Sequence, residues 1–304
     1  MRYTRRLKLC NWFILCPATL ITDLGRSMHA WILEFHDSRC ELGEGLFLSG
    51  AGDVAWVDIN SKAIFWIESG ALMCIPTRSR PSVIFNMTEK HIEFGAAEGI
   101  CVVDKETGLE RVKYPTPKSV AAGWRSNDGC KIGATYILGF MHDMDPAAHP
   151  GYIFEVSGGV WSLLDDQVHI PNTFVRLSDH RLLVSDSLTR DIYSFEVRGS
   201  VAAPKVVNKA IWCRFAGGEP DGGCWVGNSI AIASWDAGSI EILSPDGIHE
   251  RTLTVPFPRP TNCKFDPVAG KLWVTSASVG LEPALLKKFP MSDGTLALDF
   301  EGQG

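Results

Sequence analysis

The apolar positions of the chain fall in short runs separated by polar turns, most clearly between residues 169 and 197. The run Leu182–Val184 predicts one β-strand, and Ile192–Val197, rich in aromatic and β-branched residues, predicts a second. The polar segment Ser185–Thr189 predicts the turn between them. Similar units occur at residues 56–75 and 229–247, and a shorter one begins at Lys271. The repetition indicates a fold built from one kind of strand unit.

The repeat has a period that identifies the fold class. Equivalent strands open at Tyr136, Leu182, Ile230 and Leu272, at successive spacings of 46, 48 and 42 residues. Periods of about 40–50 residues that each carry several short strands are typical of β-propeller blades. The chain from residue 28 to residue 304 has room for about six of them. The sequence therefore predicts an all-β, six-bladed β-propeller of four-stranded antiparallel blades.

The predicted ring needs a closure, because an open ring would leave sheet edges unpaired. We expect the strand pattern Ala30–Phe35 to pair with the last blade near Thr295–Phe300. The chain shows no long apolar stripe at helical spacing, which excludes a helical solenoid. Its gaps, rich in Gly and Pro, leave no room for the helices of a parallel α/β sheet.

Composition and charge limit the classes of partner. Apolar residues make up 45% of the 304 positions, enough for a large core, and the formal net charge is −6. A nucleic-acid-binding protein would present a basic face, so no nucleic-acid partner is expected. The nine cysteines include no CxxC pair. They predict reduced, mostly buried thiols in a cytoplasmic protein.

Residues 1–27 differ from the repeats that follow. Several basic residues precede the apolar patch Leu9–Leu20, which Asn11 and Pro17 interrupt. The patch is too short and too broken for a membrane span, so no membrane partner is expected. We interpret residues 1–27 as a dispensable extension and residues 28–304 as one propeller domain. A secretory signal or a mitochondrial transit segment stays open as an alternative.

Seven short motifs lie along the chain at intervals of about one blade. They are LGEG (Leu42–Gly45), RSNDG (Arg125–Gly129), GFM (Gly139–Met141), IPN (Ile170–Asn172), SDSLTRDIYSFEV (Ser185–Val197), EPDGG (Glu219–Gly223) and RPTNCKF (Arg259–Phe265). In this order they resemble the family of gluconolactonases and senescence marker protein (regucalcin), whose members are six-bladed propellers. The resemblance covers most of Cys40–Ser278.

The resemblance implies a metal site made by Glu44, Asn172 and Asp221. Taken singly, each would be a turn residue. In a propeller, loop residues from different blades meet at one mouth of the central channel. Carboxylate and amide oxygens suit one divalent cation. Ca²⁺, Mg²⁺ and Mn²⁺ prefer such ligands, and Zn²⁺ fits them less well. Three protein ligands leave positions open for water and substrate.

The resemblance also implies that Arg125 and Asn127 bind the substrate, while Asp128 is expected to be structural. An Arg and an amide can hold the hydroxyl and carbonyl oxygens of a sugar lactone. The chain departs from the family pattern at Leu46, where Pro is usual, and at Thr173, where Gly is usual.

The loop after Gly139–Met141 also departs from the family pattern. It reads HDMDPAAHPG, and neither Asp143 nor Asp145 aligns with the family's substrate-contacting acid. Its histidines, His142 and His149, leave a second metal site open, against the simpler reading as a solvated loop.

Other chemistries lack their signatures. The sequence contains no G-x-S-x-G nucleophile motif, no phosphate-binding Walker loop and no H-E-x-x-H zinc motif. Six tryptophans lie in or beside strand patterns and are predicted to form inter-blade core rather than a sugar platform: Trp56, Trp66, Trp161, Trp225, Trp235 and Trp273.

The resemblance therefore implies a metal-dependent lactonase that opens a sugar lactone such as gluconolactone to its free acid. Asp221 would be both metal ligand and catalytic base. Two alternatives stay open: a non-enzymatic calcium-binding regulator on the same fold, and a propeller used only for protein contacts. The expected partner is a small-molecule sugar lactone, and the expected state is a monomer or a weak homo-oligomer.

Overall fold

The repeated strand units form six four-stranded antiparallel sheets in the computed structural model, which describes residues 32–120, 122–200 and 203–300. The sheets are arranged as a six-bladed β-propeller, as the sequence predicts. The equivalent positions Tyr136, Leu182, Ile230 and Leu272 lie in the second strand of four different blades. Residues 1–27 lie outside the described residues.

Each blade runs from an inner strand at the channel to an outer strand. Blades 1 to 3 comprise β2 Gly43–Leu48, β3 Val54–Asp58, β4 Ala63–Glu68 and β5 Ala71–Pro76; β6 Pro81–Met87, β7 His91–Ala96, β8 Gly99–Asp104 and β9 Glu110–Pro115; and β10 Trp124–Ile132, β11 Thr135–His142, β12 Tyr152–Ser157 and β13 Val160–Asp165. Blades 4 and 5 comprise β14 Pro171–Ser178, β15 Arg181–Asp186, β16 Asp191–Ser200 and β17 Ala203–Arg214; and β18 Glu219–Val226, β19 Ser229–Trp235, β20 Ser239–Leu243 and β21 His249–Thr254.

Blade 6 closes the ring with the two ends of the described chain. Its strands are β22 Pro260–Asp266, β23 Lys271–Ser276, β24 Thr295–Asp299 and, outermost, β1 Ile32–His36. The pairing of β1 with β24 is antiparallel. The predicted closure is therefore confirmed for the part of Ala30–Phe35 that the structure describes.

One short helix, α1 Pro283–Lys288, lies between β23 and β24. No helix among the described residues is long and apolar enough to cross a bilayer. The seven cysteines of the described chain are free thiols and four of them are buried, which agrees with the prediction of reduced, mostly buried thiols.

Six hydrophobic clusters fill the six interfaces between neighbouring blades. The cluster around Trp66 and Phe94, for example, joins blades 1 and 2, and the cluster around Trp56 and Trp273 joins blades 1 and 6. Each blade is thus apolar on both faces, which explains the near-continuous apolar runs of the second strands. This packing fixes the inner strands relative to one another and so fixes any site that they share.

Every inner strand carries a β-bulge near its start, where its register against the second strand shifts. A bulge bends the strand and redirects side chains that would otherwise follow the regular alternation. The six bulges lie at equivalent places in the six blades, so they face the channel at one level.

Candidate functional site

A ring of six buried polar side chains surrounds the channel at the level of the bulges. These ring residues, one per blade, are Glu44, Ser82, Asn127, Asn172, Asp221 and Thr261. Two positions before each of them lies an outer-tier residue: Leu42, Arg80, Arg125, Ile170, Glu219 and Arg259. Because side chains two apart on a strand point to the same side, the two tiers form successive layers of one funnel.

The structure brings all five predicted site residues to one cavity. Glu44, Arg125, Asn127, Asn172 and Asp221 line a space of about 140 Å³ at the mouth of the channel. Their roles as ligands and substrate contacts stay predictions. The sequence interpretation placed them on loops, whereas the structure places each on an inner strand at its bulge. The bulge explains the difference, because turn-like residues are needed there within a strand.

The amide of Asn172 is oriented by its neighbours. Ser187 Oγ donates to the carbonyl oxygen of Pro220 at 2.7 Å and accepts from Asn172 Nδ2 at 3.0 Å. The other polar atom of the amide, Asn172 Oδ1, accepts a hydrogen bond from Asn127 Nδ2 at 3.0 Å. A carbonyl oxygen has two lone pairs, so Oδ1 retains acceptor capacity toward the cavity.

Three buried carboxyl groups lie together at the site. Burial and the charge of Asp128 raise the pKa of Glu44 to about 8. Burial and the charges of Glu44 and Asp128 raise the pKa of Asp221 well above its usual value. Burial also raises the pKa of Asp128, although Lys264 and the backbone amides of Gly129, Thr173 and Phe174 oppose the rise. Protein cations thus compensate this negative charge only in part.

The donor set fits a hard divalent cation. Among the described residues, the buried Asp221 Oδ1 has no hydrogen-bond partner, and Glu44 Oε2 accepts the N–H of the adjacent Gly45 at 3.1 Å. An orphaned buried carboxylate oxygen is costly unless a ligand completes it. Within the described chain no three His, Cys, Asp or Glu side chains form a metal-binding group. A cation here would therefore take the Asn172 oxygen as its third protein ligand, and oxygen-only donors suit Ca²⁺, Mg²⁺ or Mn²⁺.

Arg125 is held by the protein through two of its three guanidinium nitrogens. Nε donates to Asp143 Oδ1 at 3.0 Å, and Nη1 donates to Asn127 Oδ1 at 2.7 Å. Among the described residues Nη2 has no hydrogen-bond partner, and Arg125 lines the cavity. The guanidinium group is therefore preorganised, with Nη2 left to donate to a ligand.

Asp143 is shared between two arginines. Arg80 Nη1 donates to Asp143 Oδ2 at 2.7 Å, and Arg80 Nη2 donates to Asn60 Oδ1 at 2.8 Å. Burial raises the pKa of Asp143, but the hydrogen bond from Arg80 and the charges of both arginines outweigh it, so the pKa lies below its usual value. Asp143 remains ionised and links blades 1, 2 and 3 at the mouth.

Thr173 adopts a backbone conformation that is unusual for a β-branched residue. Its φ is 56°, close to the φ of 57° at Gly45, which follows Glu44 in blade 1. Such a conformation costs a non-glycine residue about 1–2 kcal/mol. The Thr173 hydroxyl donates to the carbonyl oxygen of Asp221 and accepts from Ser185 Oγ at 2.9 Å. These bonds explain how Thr replaces the Gly of the family pattern, and they tie the Asn172 strand to the Asp221 strand.

The histidines of the 142–151 loop belong to an aromatic cluster. The rings of His142 and His149 lie 4.5 Å apart and both pack on Trp124. His142 Nδ1 accepts the backbone N–H of Asp145 at 2.9 Å. The geometry supports an aromatic role for both rings and shows no second metal site among the described residues.

One of the six tryptophan predictions is wrong. Trp56, Trp66 and Trp273 are buried between blades, and Trp161 and Trp225 pack against the inter-blade clusters. Trp235 instead is half-buried at the end of β19 and lines the cavity. Its aromatic character alone did not distinguish a core position from a cavity wall.

Sequence reasoning assigned no site role to five further residues at the mouth: Arg80, Asp143, Ser187, Glu219 and Trp235. Arg80 and Glu219 could have been found from their spacing, because each lies two residues before a ring position, as Arg125 does. Asp143 and Ser187 reach the site from loops, where spacing gives no such signal.

Comparisons with known proteins agree with this architecture. An L-arabinolactonase of Azospirillum brasilense is 25% identical over 295 residues, which cover 85% of this chain and 88% of that protein. The calcium-binding protein regucalcin of Agrobacterium tumefaciens superposes with a TM-score of 0.80 at 21% identity, over 90% of this chain and 94% of the other. A gluconolactonase of Xanthomonas campestris superposes with a TM-score of 0.68 at 16% identity, over 88% and 89%. Residues 42–278 match the family described as "SMP-30/Gluconolactonase/LRE-like region", and the chain belongs to that family.

Proposed function

We propose that the protein is a metal-dependent hydrolase that opens a sugar lactone to the free hydroxy acid. The observation that carries the proposal is the cavity itself, where Asn172, two buried carboxyl groups and the oriented Arg125 face one space. Family membership and similarity to an L-arabinolactonase support a lactone as substrate. We therefore take a neutral sugar lactone as the substrate class.

Each residue has a task in lactone opening. Water attacks the carbonyl carbon, the bond from that carbon to the ring oxygen breaks, and the ring oxygen leaves as a hydroxyl group. Asp221 accepts the proton of the attacking water and passes it to the departing ring oxygen, and Arg125 with Asn127 orients the substrate. Glu44, Asn172 and Asp221 would hold a divalent cation, which as a Lewis acid polarises a carbonyl group and lowers the pKa of bound water.

A calcium-binding role without catalysis is the second candidate. The same three oxygen donors favour it, and the structurally similar regucalcin is described as calcium-binding. The two candidates differ in one measurable property, which is the consumption of a lactone.

A panel of sugar lactones tests the proposal. We expect acid release from at least one pentono- or hexonolactone when the purified protein is stripped of metal and supplied with Ca²⁺, Mg²⁺, Mn²⁺ or Zn²⁺, and loss of the rate in excess chelator. Cation binding measured on the same samples, without acid release from any lactone, would support the regulator instead.

Asp143 provides a test of substrate orientation. In Asp143→Ala, Arg125 loses the bond from Nε, and we expect the KM for the lactone to rise about tenfold while kcat changes less. Stability should change by less than about 1 kcal/mol, because the ion pairs lie near solvent. The matched control is Asp145→Ala in the same loop, since the Asp145 side chain accepts the backbone N–H of Ala148 and forms no hydrogen bond to an arginine among the described residues. Equal KM values for both variants would exclude the role given to Asp143.

A further inference from the structure

The outer tier contains one acidic residue whose carboxyl group accepts no hydrogen bond from the described residues. Arg80 and Arg125 share Asp143, and Arg259 Nε donates to Asp236 Oδ1 at 2.6 Å. No hydrogen bond from the described residues reaches the carboxyl group of Glu219, which lines the cavity. A half-buried carboxyl group with no protein donor is an acceptor for a ligand.

Trp235 stands beside Glu219 with a complementary group. The two residues are direct register partners on β18 and β19, so their side chains project side by side from one face of the sheet. The indole N–H of Trp235 has no hydrogen-bond partner among the described residues, and the ring lines the same cavity. The Arg259 guanidinium lies 5.0 Å from the ring centroid, and its hydrogen bond to Asp236 fixes its position. The contact with this guanidinium therefore holds the indole in place.

We propose that Glu219 and Trp235 form a subsite that binds the hydroxyl-bearing part of the substrate. A sugar hydroxyl both donates and accepts hydrogen bonds, and the pair offers one acceptor group and one donor group that form no hydrogen bond within the described part of the chain. An aromatic ring beside a carboxylate also supplies a flat apolar surface for the carbon face of the sugar.

The position of this pair defines an orientation. Glu219 belongs to blade 5 and Arg125 to blade 3, on either side of the blade that carries Asn172. With the lactone carbonyl near Asn172 and Asp221, one flank of the substrate faces the cationic edge of Arg125 and the other faces Glu219. The subsite thus selects polyhydroxylated lactones over lactones that lack hydroxyl groups. This inference rests on the proposed function for its substrate class.

Kinetics with two lactones of the same ring size test the subsite. For Glu219→Ala we expect kcat/KM for a pentono-1,4-lactone to fall tenfold or more, because a hydrogen bond to a charged group is lost. For unsubstituted γ-butyrolactone we expect a change of less than twofold. Trp235→Phe keeps the ring and removes the donor, and should lower kcat/KM for the hydroxylated lactone about threefold. Glu250→Ala, an exposed acid on the outer strand of the same blade, is the control and should match wild type.

A binding measurement keeps the inference separate from the hydrolytic function. A polyhydroxylated lactam, the nitrogen analogue of the sugar lactone, resists hydrolysis and can be titrated calorimetrically against the metal-loaded protein. We expect Glu219→Ala to bind it tenfold more weakly than wild type does, with an unchanged melting temperature. Equal affinities, or no binding to wild type, would overturn the subsite. A tenfold difference in a protein that opens no lactone would overturn the proposed function and leave the subsite standing.

Discussion

Replacing Asp221 by Asn is expected to lower the turnover of a sugar lactone by about 10²-fold or more, while cation affinity falls only modestly. Asn retains a carbonyl oxygen that can coordinate a cation, but it cannot accept a proton from water. The loss should therefore persist at saturating metal. Acid release at a series of cation concentrations, with cation binding measured in parallel, separates the two effects.

Two further variants at the same site serve as controls for this reasoning. Glu44→Gln removes a charge from the ligand set, so its main effect should be a lower cation affinity. Excess cation should then restore part of the rate. Asn172→Ala deletes a ligand outright and should need still more cation. Its side chain also accepts from Asn127 and donates to Ser187, so melting temperatures must accompany the titration.

The outcome for Asp221→Asn decides between base and ligand. Turnover equal to wild type at saturating metal would mean that Asp221 serves only as a ligand and that another group takes the proton. Wild-type rates in all three variants would show that the site is not catalytic, and would favour the interpretation as a calcium-binding protein.

The sequence was sufficient to predict the fold because each blade repeats the same physical pattern. The second strands at Tyr136, Leu182, Ile230 and Leu272 are buried on both faces, so their apolar runs keep a constant period. Even the closure by the N-terminal strand could be predicted, because an unpaired sheet edge is unfavourable in any ring.

The candidate site could be predicted only where residue type and spacing coincide. Glu44, Asn172 and Asp221 lie at the bulges of the inner strands of three blades, and motif resemblance was enough to select them. The sequence did not predict a shared site for Glu219 and Trp235, because the pairing of β18 with β19 is what brings them together. The role of Asp143 could not be predicted either. It depends on ion pairs with two arginines from different blades, and residues so far apart in sequence give no sign of such a contact.

Thr173 shows a different limit of sequence reasoning. A Thr at a position where the family has Gly is a departure from the motif, and the sequence offers no reason for it. The structure supplies one, because the hydroxyl forms bonds to Asp221 and Ser185 that glycine cannot form. A local conformational cost is thus offset by contacts to a neighbouring blade.

Gly45 occupies the equivalent bulge position in blade 1, where the space is much tighter. Its φ is 57°, and a Cβ atom there would lie 2.5 Å from the carbonyl oxygen of Ser82 and 2.8 Å from the Cα atom of Val83. Both atoms belong to the backbone of blade 2, which the inter-blade core holds in place, so neither can move aside cheaply. We expect Gly45→Ala to destabilise the protein by about 3 kcal/mol or more, from the conformational cost and the collision together.

A second glycine separates these two contributions. Gly227 has the same φ of 57°, but a Cβ atom there would meet no atom within 4 Å. Gly227→Ala should therefore cost only the conformational part, about 1 kcal/mol. Denaturant unfolding of both variants gives the difference, which measures how closely blades 1 and 2 meet beside Glu44. If the two variants lose equal stability, the bulge of blade 1 can relax away from blade 2. Glu44 would then not be fixed by the packing of its neighbour, and the preorganisation argued for the cation site would fail at that ligand.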